Sequence, residues 1–244
     1  MMKLLKYDLK RNANMLIGIA AILLIVQISI MLFIDINEVQ LVLSVLAYFT
    51  AGIIVFVTMI KTYTYNIKAY HRKLLPVHTF HTVVSPIFLG MSCLLVLMIG
   101  AGTQGYIYSS RIPQLANLWE MTKMSWTDTS IVLLSGLWSI IYLVITIFLA
   151  ITIAYSIRMK GSFWFGIVAF LLLWNVLSWI ESLIFNNQDI GPFQFFSLQI
   201  NATENSISSS SLPLNISGNM IFEVISAVIF FYIIVKLLDR RVEV

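Results

Sequence analysis

The chain has 244 residues, 59% of them hydrophobic and 11% charged, against roughly 45–50% and 25% in soluble domains. That balance excludes an ordinary soluble domain and marks an integral membrane protein. The single cysteine, Cys93, lies in an apolar run, so neither an intrachain disulfide nor a cysteine metal cluster is available.

A membrane-crossing helix needs about 20 predominantly apolar residues. Six runs reach that length: Met15–Ile34, Val39–Ile60, Val83–Tyr108, Thr129–Ser156, Ser162–Phe185 and Gly218–Leu238. The expected fold class is therefore an all-α integral membrane protein with six transmembrane helices in a single domain, residues 1–244. Ahead of the first run, Met1–Asn14 is amphipathic: Met2, Leu5, Leu9 and Leu16 share a face opposite Lys3, Lys6 and Lys10. This predicts an interfacial helix feeding the first span. That span is too long for a signal-peptide core and is expected to be retained. The first two spans form a hairpin with a small turn around Asp35 and Glu38.

Residues 61–82 form a basic loop between the second and third spans. At 100° per residue, Tyr63, Ile67, Tyr70 and Leu74 fall on one stripe, with Lys61, Tyr65, Lys68 and Arg72 opposite. Pro76 should end this helix near Leu75. Such a segment can rest on anionic headgroups, or serve as the handle by which a soluble partner moves the membrane part. Ser85-Pro86 reads as a cap with proline at the first helical position, opening the third span.

Further along, Trp119 and Trp126 suit a membrane–water interface, and Thr127 or Asp128 is placed to cap the fourth span. The turn Arg158–Gly161 then leads into the fifth. Residues 186–217 form the longest loop. Its apolar first part, Ile190–Ile200 with Phe193, Phe195 and Phe196, is expected to dip into the membrane as a short re-entrant helix. The polar Asn201–Ser211 should be mobile.

The basic residues give orientation. Lys3, Lys6, Lys10, Arg11, Lys61, Lys68, Arg72, Lys73, Arg158, Lys160, Lys236, Arg240 and Arg241 lie on one side, and only Arg111 and Lys123 on the other. By the positive-inside rule both termini are cytoplasmic, in a multi-pass cell-membrane protein. The net charge of +4 is thereby accounted for without nucleic acid.

Motif matches are weak. Gly100–Gly105 fits the letters of a dinucleotide loop but ends a membrane span with no strand before it, which favours a flexible helix end or close helix packing. No Gly-x-x-x-x-Gly-Lys-Ser/Thr loop occurs, so ATP hydrolysis by that route would need another chain. His71, His78 and His81 lack a supporting carboxylate or cysteine in their loop and read as solvated rather than metal-binding. Asn201-Ala-Thr203 and Asn215-Ile-Ser217 match the glycosylation triplet. Glu181 and Glu223 are the ionisable residues within spans, each about a turn from the outer end. They can snorkel to the interface, or belong to an outer gate. The membrane centre has no charge, which argues against an ion-coupled pump.

Met2–Asn12, the six-span layout and the loop ending Lys73-Leu-Leu-Pro-Val77 resemble the permease subunits of Gram-positive type-2 ABC exporters. More particularly, the chain is similar to staphylococcal exporters of small amphipathic cytolytic peptides. The resemblance implies a coupling helix seated in a separate cytoplasmic ATPase, carried here by Tyr65, Asn66, Lys68, Ala69, Tyr70, Arg72 and Lys73. It implies an outer gate between the last two spans; with the two intramembrane acids this comprises Glu181, Phe193, Phe195, Phe196 and Glu223. A second permease, copy or paralogue, would complete the assembly. No cofactor is expected on this chain, with ATP and Mg in the partner subunit. The expected function is export of a hydrophobic or amphipathic peptide through a membrane-embedded, non-enzymatic subunit in contact with lipid. The rivals are a non-transporting subunit for peptide sensing or immunity, a lipid or drug exporter, and a secondary transporter.

Overall fold

The computed structural model describes residues 2–71, 79–109, 111, 126–156, 162–184, 199–201, 206–208 and 214–242. Arg72, Lys73, Phe193, Phe195 and Phe196 lie outside them. Among the described residues six helices are long and apolar enough to cross a membrane, so the protein is of the multi-pass membrane class. The chain divides into two compact units, residues 1–120 and 121–244.

The first unit holds α1 (Met2–Phe33), α2 (Asn37–His71) and α3 (Thr79–Ser109). The turn between α1 and α2 is three residues long, and Gln40 closes it by donating its side-chain amide to the Ile34 carbonyl. α2 returns antiparallel to α1, and α3 runs parallel to α1. Two bonds fix that register: Ser85 to Asp8, and Gln104 to Gln27, each joining residues 77 apart. The nineteen residues from Asp8 to Gln27 span about 28 Å of helix, close to the ~30 Å of a bilayer's hydrocarbon core. The two polar contacts therefore sit one hydrocarbon thickness apart, with an apolar stretch between them.

α2 buries one face: Ala51, Val55, Thr58, Met59, Thr62, Tyr63, Asn66 and Ile67 recur at three- and four-residue spacing. The threonine hydroxyls on that face are satisfied within the helix, Thr58 bonding the Ile54 carbonyl and Thr62 the Thr58 carbonyl, as an apolar setting requires. Gly90 lets α3 approach α2 closely. A Cβ there would stand 2.2 Å from Met59 Sδ, and Met59 is itself fully buried.

Three expectations change. The amphipathic Met1–Asn14 segment, from Met2 onward, is the unbroken start of α1, and Lys61–His71 is the unbroken end of α2. The third helix opens at Thr79 rather than at Ser85-Pro86, and takes Pro86 inside it. Proline's missing N–H costs one helical bond, and Ser85 is free of capping duty because its hydroxyl is turned to Asp8.

The second unit holds α4 (Trp126–Ser156), α5 (Ser162–Ile184), a hairpin of β1 (Gln199–Asn201) and β2 (Ser206–Ser208), and α6 (Leu214–Val242). α4 is the central helix, in contact with both α5 and α6. Tyr142, Val144, Phe148, Leu149, Ala150 and Ala154 are buried along it. α5 runs antiparallel to α4, with Gly166 against Ala154. α6 runs parallel to α4, with Glu223 bonded to Trp138 and Ser226 to Tyr142. Because α4 opens at Trp126, Thr127 and Asp128 fall within its first turn rather than capping it. The strands pair antiparallel, Gln199 with Ser208 and Ile200 with Ile207. Gln199 and Ile200, expected at the end of a re-entrant helix, are thus in a strand, as are Ser206–Ser208 from the stretch expected to be mobile.

Candidate functional site

The polar groups that apolar helices cannot leave unpaired gather in three places, two in the first unit and one in the second. The first centres on Asp8. It lies on the line Leu4–Asp8–Arg11, which faces α2 and α3, whereas Leu9 on the expected apolar face is half exposed. Asp8 has no exposed surface. Its Oδ2 accepts hydrogen bonds from Ser85 Oγ at 2.7 Å and from Asn66 Nδ2 at 3.0 Å. Its Oδ1 faces the Arg11 guanidinium at 3.4 Å. Arg11 also donates to Asn66 Oδ1 at 3.4 Å and lies 4.0 Å over the ring of Tyr65. Asn12 donates to Thr62 Oγ1 at 3.0 Å. A buried carboxylate is tolerable only with such partners, and here they come from all three helices. The cluster fastens the start of α1 to the end of α2 and the start of α3.

Of the residues expected to couple to an ATPase, Tyr65 and Lys68 fall on the exposed face of α2 and Asn66 on the buried one. Lys61, Tyr65 and Lys68 are exposed on one face of α2, while Tyr63 and Ile67 are buried on the other. Asn66 is buried beside Asp8, inside the unit rather than on a surface that a partner would meet. The backbone of α2 carries Ala69 and Tyr70. His81 is not a solvated loop residue: it lies in α3, half-buried, with Phe80 edge-on at 5.7 Å and Nδ1 without a hydrogen-bond partner. Among the described residues no group of three His, Cys, Asp or Glu is arranged to hold a metal ion.

Nineteen residues along α1, a second network joins the same helices. Gln104 donates to Gln27 Oε1 at 2.7 Å and to Ser44 Oγ at 3.2 Å. Interhelical amide bonds of this kind hold apolar helices in register where burial alone cannot choose one.

In the second unit, Glu181 of α5 and Glu223 of α6 are both buried, 3% and 1% exposed. Neither snorkels out of its own unit. Glu223 Oε2 accepts the indole N–H of Trp138 at 3.0 Å. One turn along, Ser226 and Tyr142 share a hydroxyl–hydroxyl bond of 3.1 Å. Both carboxyl groups lie within electrostatic reach of the Tyr142 hydroxyl. Glu181 Oε2 is buried without a hydrogen-bond partner. The arrangement places two carboxyl groups at one end of α4. The sequence marked the two acids; it did not mark Trp138, Tyr142 or Ser226. Their signal was the helical spacing of 138 and 142 against 223 and 226, legible only once α4 and α6 are known to run parallel.

Compared with known proteins, the chain matches no family model, no curated protein and no solved structure.

Proposed function

We propose that the chain is the membrane-spanning permease subunit of a type-2 ABC exporter, moving a hydrophobic or amphipathic peptide and driven by a separate ATPase. The observation that supports this is the end of α2. The helix continues past its apolar stretch as one rod to His71. Its buried face is fastened through Asn66 to Asp8 and Ser85, while Lys61, Tyr65 and Lys68 are exposed on the other. A rod so anchored transmits a push at its basic end to three helices at once. In this reading both termini and the basic end of α2 face the cytoplasm, where the ATPase seats. The apolar helix faces suit a cargo with a greasy side, and a second permease completes the pathway. The membrane part supplies a path, and ATP with Mg is bound and spent in the partner.

The test is purification of the tagged chain from its native membrane. A co-purifying ATPase whose turnover rises when the two are reconstituted together, and rises further with exported peptide, supports the reading. A chain that purifies without any ATPase, or leaves its turnover unchanged, overturns it.

A further inference from the structure

The second unit carries a buried acid, Glu181, whose burial a place in an outer gate does not explain. Glu181 sits near the end of α5, facing the same end of α4 as Glu223. The register set by Gly166 against Ala154 brings position 181 alongside Ser139 to Tyr142, an independent indication of the same placement. The side chain is 97% removed from the surface, and one of its two oxygens meets no donor.

An ionised carboxylate in that position has lost the hydration of one oxygen and gained no donor there to replace it. Among the described residues its surroundings are acidic or neutral. α4 presents the Tyr142 hydroxyl, and α6 presents Glu223, already engaged by Trp138. Among the described residues α4 and α5 contain no Lys, Arg or His. α6 has Lys236, Arg240 and Arg241, the nearest of which is thirteen residues past Glu223, about 20 Å along the helix. Two carboxyl groups near one hydroxyl in a dry setting resist double ionisation.

We propose that Glu181, with Tyr142 and Glu223 around it, is a proton-binding site whose ligand is a single proton held on the Glu181 carboxyl group. The protonated acid is neutral, which removes the charge penalty of burial, and it turns the orphaned oxygen into a donor. Loss of the proton places an unpaired charge on the α4–α5 seam and loosens it. The site would therefore make the packing of α5 on α4 respond to acidity on the membrane face nearer Glu181. This holds whether or not the chain exports peptide.

Infrared spectra of the full chain in lipid nanodiscs at neutral pH test it, using the carbonyl stretch of protonated carboxylic acids and its downshift in D2O. Wild type should show the band. Glu181→Gln, which mimics the protonated acid in shape and neutrality, should lose it while remaining folded, and Glu223→Gln should keep it. Raising the pH should bleach the band and lower the heat stability of wild type, but leave the stability of Glu181→Gln flat. A band absent from wild type, or unchanged in Glu181→Gln, overturns the proposal. So does protection of wild type against heat by sodium, potassium or a primary alkylammonium salt, which would put a cation in the site instead. If Glu181→Gln fails to fold, Glu181→Asp decides: a shifted band supports the site, and an unshifted one refutes it.

Discussion

Ser85 donates a 2.7 Å hydrogen bond to Asp8, a residue 77 positions earlier in the chain, and neither has any exposed surface. This bond, with that from Asn66, makes Asp8 the point at which three helices of the first unit meet. Asp8→Ala strands two buried donors and leaves Arg11 without its counter-charge, and should cost about 3 kcal/mol of stability. Asp8→Asn keeps an acceptor for Ser85 and should cost less than half as much. Thermal unfolding in detergent ranks the two; equal losses would mean that the cluster carries little of the fold.

Met59 lies over Gly90 where α3 packs on α2. Gly90→Ala puts a methyl group where Met59 Sδ now lies, and overpacking of that kind costs about 1–3 kcal/mol. Met59→Ala alone opens a cavity, at about 2–5 kcal/mol. Together the changes should partly cancel, giving a favourable coupling of at least ~1 kcal/mol in a double-mutant cycle. Strict additivity would show that the helices move apart instead.

The exposed face of α2 gives the functional prediction. Lys61→Glu with Lys68→Glu reverses the charge on a surface that buries nothing of the first unit's core, so insertion and heat stability should stay within ~0.5 kcal/mol of wild type. Association with the co-purified ATPase, and export with it, should fall at least tenfold. Normal export by this double variant would leave the basic face as a contact for lipid headgroups.

How much of this was written in the sequence follows from what each signal measures. Hydropathy found all six helices because a span needs length and little else. Periodicity placed Tyr63 and Ile67 on a buried stripe of α2 correctly. On α1 the apolar face of residues 2–16, expected to lie along the membrane surface, is not the face turned to α2 and α3. In a membrane, exposed Leu9 and Ile17 cost nothing, so the hydrophobic stripe no longer points to the protein interior. There the polar residues mark the interior, and Asp8, Asn66 and Ser85 are the informative ones. Their partnership could not be read because it spans 58 and 77 positions and depends on helix register. Pro86 misled for a related reason: a proline–serine pair looks like a helix start, whereas the serine is committed to another helix.

The bond from Trp138 to Glu223 offers the clearest separation of charge from packing in the second unit. The indole N–H reaches Glu223 Oε2 at 3.0 Å, and a hydrogen bond to a charged acceptor contributes about 1.5–3 kcal/mol. Trp138→Phe retains an aromatic ring against α6 and removes the donor, so it should destabilise by an amount near the lower end of that range plus a small packing loss. Glu223→Gln keeps an oxygen for the indole while removing the charge, and should cost less. In the Glu223→Gln background, Trp138→Phe should then cost about 1 kcal/mol less than in wild type, because the bond it breaks has become a neutral one. Urea or thermal unfolding of the four proteins yields the coupling directly. If Trp138→Phe costs the same in both backgrounds, the indole contributes only its ring, and the acid is held by other contacts on α6 and its neighbours.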